Sequence, residues 1–201
     1  IQLSDHFTYK KLIKFVLPSI VMMIFTSIYG VVDGLFVSNF AGKTAFAAIN
    51  LIMPILMGLS ALGFMIGTGG SAIVAKTLGE GKEEKANEYF SMLVYVTAIG
   101  GVAVSLLGMI LIRPAAVMLG AAGELLSDCV LYGRITFISF TAFMLQNVFQ
   151  SFFVTAQKPK LGLKVIIVAG VTNMVLDYLF VGRLGFGIAG AAVATVCGEF
   201  I

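Results

Sequence analysis

Long apolar runs separated by short polar connections dominate this chain. Runs at about 15–38, 46–75, 89–112, 130–155 and 164–182 lie close to or above the roughly 20 residues that carry a helix across a bilayer. A sixth begins near Gly187 and runs to Ile201. The pattern predicts one all-α bundle, residues 1–201, of six transmembrane helices with the sixth cut short at 187–201. Polar residues inside the runs are few. In "GVTNMVLDYLFVG", residues 170–182, Asn173 and Asp177 stand four apart and so project from the same face of the fifth helix.

Composition identifies the solvent around that carboxylate. The chain is 59% hydrophobic and 11% charged, with 17 Phe and 10 Met. Soluble domains are about 45–50% apolar and about 25% charged, so the chain reads as a multi-pass protein of the cell (inner) membrane with the lipid bilayer as its surroundings. The net charge of +3 therefore carries no implication of nucleic-acid binding. Cys129 and Cys197 are too few for a disulfide framework. The first residue is not Met and the last run ends abruptly, so the chain reads as clipped at both ends. "YKKLIK" resembles the basic region of a signal peptide, but the apolar run after it is too long and lacks a small-residue cleavage pattern.

The basic residues orient the bundle. Lys10, Lys11 and Lys14 precede helix 1, Lys76, Lys82 and Lys85 lie between helices 2 and 3, and Lys158, Lys160 and Lys164 lie between helices 4 and 5. The opposite connections carry only Lys43, Arg113 and Arg183, with Arg134 near the start of helix 4. By the positive-inside rule the N-terminus is cytoplasmic. Asp33 and Asp177 then lie about 9 Å below the outer surface and Thr195 about 12 Å, at about 1.5 Å per residue. Three helices thus deliver polar groups to one level of the outer half.

An ionised Asp at the centre of a membrane helix costs about 2.5–3.5 kcal/mol on insertion scales, so such residues face an interior or a wet cavity and serve a function. A carboxyl group shielded from water takes up a proton more readily than one in water. The same oxygens, with an Asn carbonyl and a Thr hydroxyl, suit a hard cation such as Na⁺. Asp33, Asn173, Asp177 and Thr195 are therefore the candidate cation-coupling residues, and the candidate metal ligands if Na⁺ is the ion; H⁺ and Na⁺ stay equally open. Further candidates for the cavity are Tyr29, Gln146, Asn147, Gln150 and Glu199, the glutamines and Asn147 reading more readily as hydrogen-bonding partners of neighbouring helices. Stripes of small residues, Gly63, Gly67, Ser71 and Ala75 on helix 2 and Gly187, Ala191 and Thr195 on helix 6, mark close helix approach. Pro54 is placed to kink helix 2 and free a carbonyl.

Several stretches together carry a resemblance: "VVDGLFVSNFAGKTAFAAIN", "GFMIGTGGSAIVAKTLGEGKEEKANEYF", "TAQKPKLGLKVIIVAGVTNMVLDYLFV" and "GIAGAAVATVCGEF". The chain resembles the multidrug and toxic compound extrusion (MATE) transporters along nearly its whole length. The resemblance implies one lobe, the N-terminal one, of a two-lobe, twelve-helix transporter, and it places Asp33, Asn173, Asp177 and Thr195 in that family's cation-coupling site. It implies an antiporter that exports small organic cations or drugs in exchange for H⁺ or Na⁺, with no other cofactor and with a second six-helix lobe as partner. Glu199 departs from the pattern, because a neutral polar residue is more usual there. A flippase for a lipid-linked saccharide is the alternative, and it calls for cationic residues in the cavity, for which Arg134 is the only deep candidate. A channel calls for a pore-lining ring or repeat; none is present. No nucleotide-binding loop, metal-ligand cluster or nucleophile–base set is present either, so no enzyme is expected.

Overall fold

The computed structural model describes residues 9–156 and 158–200. Among these, the order is α1 (Tyr9–Phe36), a π-helical segment Val37–Ala41, α2 (Lys43–Gly79), α3 (Glu83–Met118), α4 (Gly123–Thr155), α5 (Pro159–Asp177), a second π-helical segment Tyr178–Arg183, and α6 (Gly187–Glu199). Five of these stretches are long and apolar enough to cross a membrane; α6 is apolar but spans only 13 residues. The chain is thus a multi-pass helical membrane protein. The helices outrun the apolar runs at most ends, because hydropathy marks only the part in hydrocarbon while backbone hydrogen bonding continues into polar residues such as Lys76, Glu83 and Glu84. The expected end of helix 6 at Ile201 lies outside the described residues. Pro54 sits inside one continuous α2, so the expected kink does not break that helix.

Small residues decide which helices meet. A Cβ on Gly63 would lie 3.2 Å from the Met144 Cα, and one on Gly67 would lie 3.0 Å from the Val148 Cα. The paired numbers rise together, so α2 and α4 run in the same direction. Gly101 meets Thr141 and Gly108 meets Phe137, so α3 and α4 are antiparallel. The apolar core of this trio holds Ile52, Ile112, Phe137, Phe140 and Met144. The remaining helices close a second group: α1 packs on α5, α5 on α6, and α6 on α4.

Ala191 of the expected α6 stripe is buried in the apolar core, but a neighbouring stripe comes nearer to other helices. The positions in closest approach are Gly190, whose Cβ would meet the Phe180 backbone, and Gly198, whose Cβ would meet Asn173 and the Ala169 carbonyl. Gly190, Ala194 and Gly198 therefore form a second packing face, all three buried. Thr195, one position round the helix, is left half-buried beside it.

Candidate functional site

The two π-helical segments follow the two helices that carry an aspartate. In Val37–Ala41 the backbone bond closes over five residues, Gly42 N–H to the Val37 carbonyl at 3.1 Å, and Leu184 N–H to the Leu179 carbonyl repeats it at 2.9 Å. The first has a local cause. The Asn39 side-chain amide donates to the Leu35 carbonyl at 2.7 Å and the Ser38 hydroxyl donates to it at 3.2 Å, competing with the ordinary helical bond. Such wide turns interrupt α-helices mostly at functional places. Asp177 is the last residue of α5 before its wide turn, and Asp33 lies one turn before the end of α1. Phe36 and Tyr178 close the two segments together edge to face, with ring centroids 6.4 Å apart.

Beneath that contact the two aspartates meet. Asp33 and Asp177 bring their carboxyl groups within hydrogen-bonding reach of each other. Asp177 is fully buried, and Oδ1 of each carboxyl is buried without a hydrogen-bond partner. Asn173 is also buried. Oriented by its partners, its amide donates to Asp177 Oδ2 at 3.2 Å and accepts from the Thr195 backbone N–H at 3.3 Å. Asn173 therefore links α5 to α6 and steadies one oxygen of Asp177. The Thr195 hydroxyl donates back to the Ala191 carbonyl at 3.1 Å, so Thr195 meets Asn173 through its main chain.

Two carboxyl groups this close repel unless a proton or a cation lies between them. All four sequence-predicted residues thus converge, carried by α1, α5 and α6. Tyr29, one turn before Asp33, has Asp33, Asp177 and Glu199 as its charged neighbours.

Three residues of α4 join the site without having been expected: Tyr132, Thr136 and Ser139. The buried Tyr132 hydroxyl lies near those of Thr195 and Thr136, and the Thr136 Oγ1 is buried and unpartnered. Ser139 donates its hydroxyl to Glu199. Their spacing, i, i+4 and i+7, is one polar stripe on a transmembrane helix, and that stripe was the available signal. The other predicted polar residues of α4 lie apart. Gln150 donates to the Met22 sulfur at 3.2 Å, linking α4 to α1. Asn147 is buried with its amide nitrogen unpartnered. Gln146 is half-buried, and Arg134 is exposed.

Residues 18–179 match the MatE family. The chain belongs to the MatE family. Among MatE-related proteins, the multidrug export protein MepA of Staphylococcus saprophyticus is 25% identical over 193 residues, covering 96% of this chain and 43% of its own length. The chain therefore spans less than half the length of the curated relatives it matches. A solved multidrug resistance MATE family transporter of the MOP superfamily in an outward-facing conformation superposes with a TM-score of 0.88 at 27% identity, over 95% of this chain and 42% of that one. The inward-facing conformation superposes less well, with a TM-score of 0.81 at 27% identity over 87% of this chain and 39% of that one.

Proposed function

We propose that this chain forms the N-terminal lobe of a secondary antiporter that exports organic cations or drugs in exchange for H⁺ or Na⁺. The observation that carries the reading is the pair of carboxyl groups from α1 and α5, in mutual reach, with Oδ1 of each buried and unpartnered. A proton shared by the pair, or a sodium ion between them, removes their repulsion. Asp33 and Asp177 take up the ion, Asn173 holds Asp177, and Thr195 fixes Asn173 from α6. Neutralising the pair lets α1 approach α5 and α6, while an unneutralised pair pushes them apart. Ion and cargo are then coupled because each binds the two arrangements with different affinity. A second six-helix lobe supplies the other wall of the cargo cleft, and the N-terminus lies in the cytoplasm.

A flippase for a lipid-linked saccharide would need several cations in the interior for its pyrophosphate cargo, and Arg134 is the one deep candidate the sequence offers. The test is Asp177→Asn in the full-length transporter, reconstituted in vesicles under imposed pH or sodium gradients. Gradient-driven efflux is expected to fall to background while the protein inserts normally. Efflux at near wild-type rate would remove Asp177 from the coupling role.

A further inference from the structure

Glu199 is the acidic residue of the site that ion coupling leaves unused. It lies one turn beyond Thr195 on α6, on the same face, about 6 Å farther along the helix axis. It is half-buried within this lobe. It accepts the hydroxyl of Ser139, which is fully buried on α4 and also contacts the Thr136 carbonyl at 3.1 Å. Among the described residues no Lys or Arg accompanies it. Nor do three acidic, His or Cys side chains converge on any one point among the described residues, so Glu199 does not complete a single ion cage with Asp33 and Asp177.

Its surroundings suit a different cation. Tyr29 has both Glu199 and the aspartate pair among its charged neighbours, with the Phe25 ring 6.5 Å away from the Tyr29 ring on the same helix. Gly170 makes room for the Phe25 ring, since a Cβ there would lie 2.6 Å from it, while the Tyr29 ring would be in ordinary contact at 3.5 Å. One turn before Ser139, Thr136 keeps a buried hydroxyl oxygen without a partner. A carboxylate, aromatic rings and a spare hydroxyl can together hold a cationic nitrogen attached to an apolar body. A proton needs no aromatic neighbour.

We propose that Glu199 selects for positive charge in the cargo: its carboxylate, held by Ser139 and with Tyr29 nearby, is the counter-ion of the cargo's cationic nitrogen, one turn beyond Thr195 on α6 and distinct from the Asp33–Asp177 pair. This rests on the antiporter reading above. It divides labour within the lobe, the aspartate pair taking the coupling ion and Glu199 the cargo.

The experiment uses the full-length transporter, with ethidium as a permanent cation and Nile red as an uncharged dye, their binding followed by fluorescence polarisation. Glu199→Gln keeps an acceptor for Ser139 and removes only the charge. It is expected to raise the Kd for ethidium by about tenfold or more, as for a lost partner of a partly desolvated charge pair, and to leave Nile red binding unchanged. Glu199→Asp, which restores the charge, is expected to recover most of the ethidium affinity. The number of coupling ions moved per ethidium, measured in vesicles, should be the same in wild type and Glu199→Gln. An unchanged ethidium Kd in Glu199→Gln overturns the proposal, as does an equal loss of both dyes or a changed ion count at unchanged Kd. If the wild type exports ethidium and Glu199→Gln behaves identically, only this inference falls. If the wild type neither binds nor exports it, the antiporter reading falls as well.

Discussion

At the scale of single residues, Asn173 shows how an amide can govern a carboxylate in an apolar bundle. One of its ends is used by Asp177 Oδ2 and the other by the Thr195 main chain, so it both steadies the acid and ties α5 to α6. A hydrogen bond to a charged group contributes about 1.5–3 kcal/mol. Asn173→Ala in the full-length transporter is therefore expected to raise the ion concentration needed for half-maximal efflux by about tenfold or more, while efflux at saturating ion stays near the wild-type rate. Vesicle assays over a series of sodium or proton gradients would show it. The i, i+4 spacing of Asn173 and Asp177 made this partnership legible in the sequence. Tyr132, Thr136 and Ser139 were not singled out, because nothing local shows which stripe of a largely apolar α4 turns towards the aspartates.

At the scale of elements, glycine sets how near the helices come, and its effect depends on what lies opposite. A Cβ at Gly67 would fall 2.9 Å from Ser151 Oγ, 3.0 Å from the Val148 Cα and 3.2 Å from the Asn147 carbonyl. Two of these are backbone atoms that cannot swing aside. Gly67→Ala is expected to cost about 1–3 kcal/mol through overpacking, seen as a lower Tm of the purified protein in detergent. Gly58, on the same helix, has nothing within 4 Å of its Cβ position. Gly58→Ala is expected to leave Tm unchanged or slightly raised, by about 0.4–1 kcal/mol at most. If the two variants have equal Tm, the α2–α4 contact is not as close as described here. Gly42, between the first wide turn and α2, has φ 101° and ψ 169°, a region held almost only by glycine. Gly42→Ala is expected to cost about 1–3 kcal/mol in the same measurement. The stripes of α2 and α6 were both visible as sequence, yet the closest approach on α6 is made by Gly190 and Gly198, beside the buried Ala191 of the expected stripe. Two adjacent small-residue stripes fit that helix, and only the positions of its neighbours decide which comes closest.

At the scale of the molecule, the charge pattern and the helix order make a joint statement about sidedness. The segment from Glu80 to Lys82 joins α2 to α3, with Lys82 and Glu80 ion-paired at 2.7 Å on the surface. The turn around Leu119 and Gly120 lies at the other end of α3. With Cys129 and Cys197 replaced by Ala, a membrane-impermeant maleimide is expected to label Glu83→Cys from the cytoplasmic side and Leu119→Cys from the outside. Labelling of Glu83→Cys from outside the cell would reverse the proposed orientation.

The sequence by itself determined the quantities that add up along the chain. Apolar run length decides that five stretches are able to cross a bilayer, because transfer to hydrocarbon is close to a sum over residues. Helical periodicity pairs Asn173 with Asp177, because positions four apart share a face whatever surrounds them. Tertiary structure alone decided what depends on the angle and offset between helices. It set Asp33 against Asp177, turned α4 so that Ser139 reached Glu199, and used the Thr195 main chain where its hydroxyl was expected to act. A helix one position out of register would present a different face, and in a largely apolar chain almost every face is apolar. Close contact at Gly67, Gly190 and Gly198 therefore selects the register that the hydrophobic pattern leaves open.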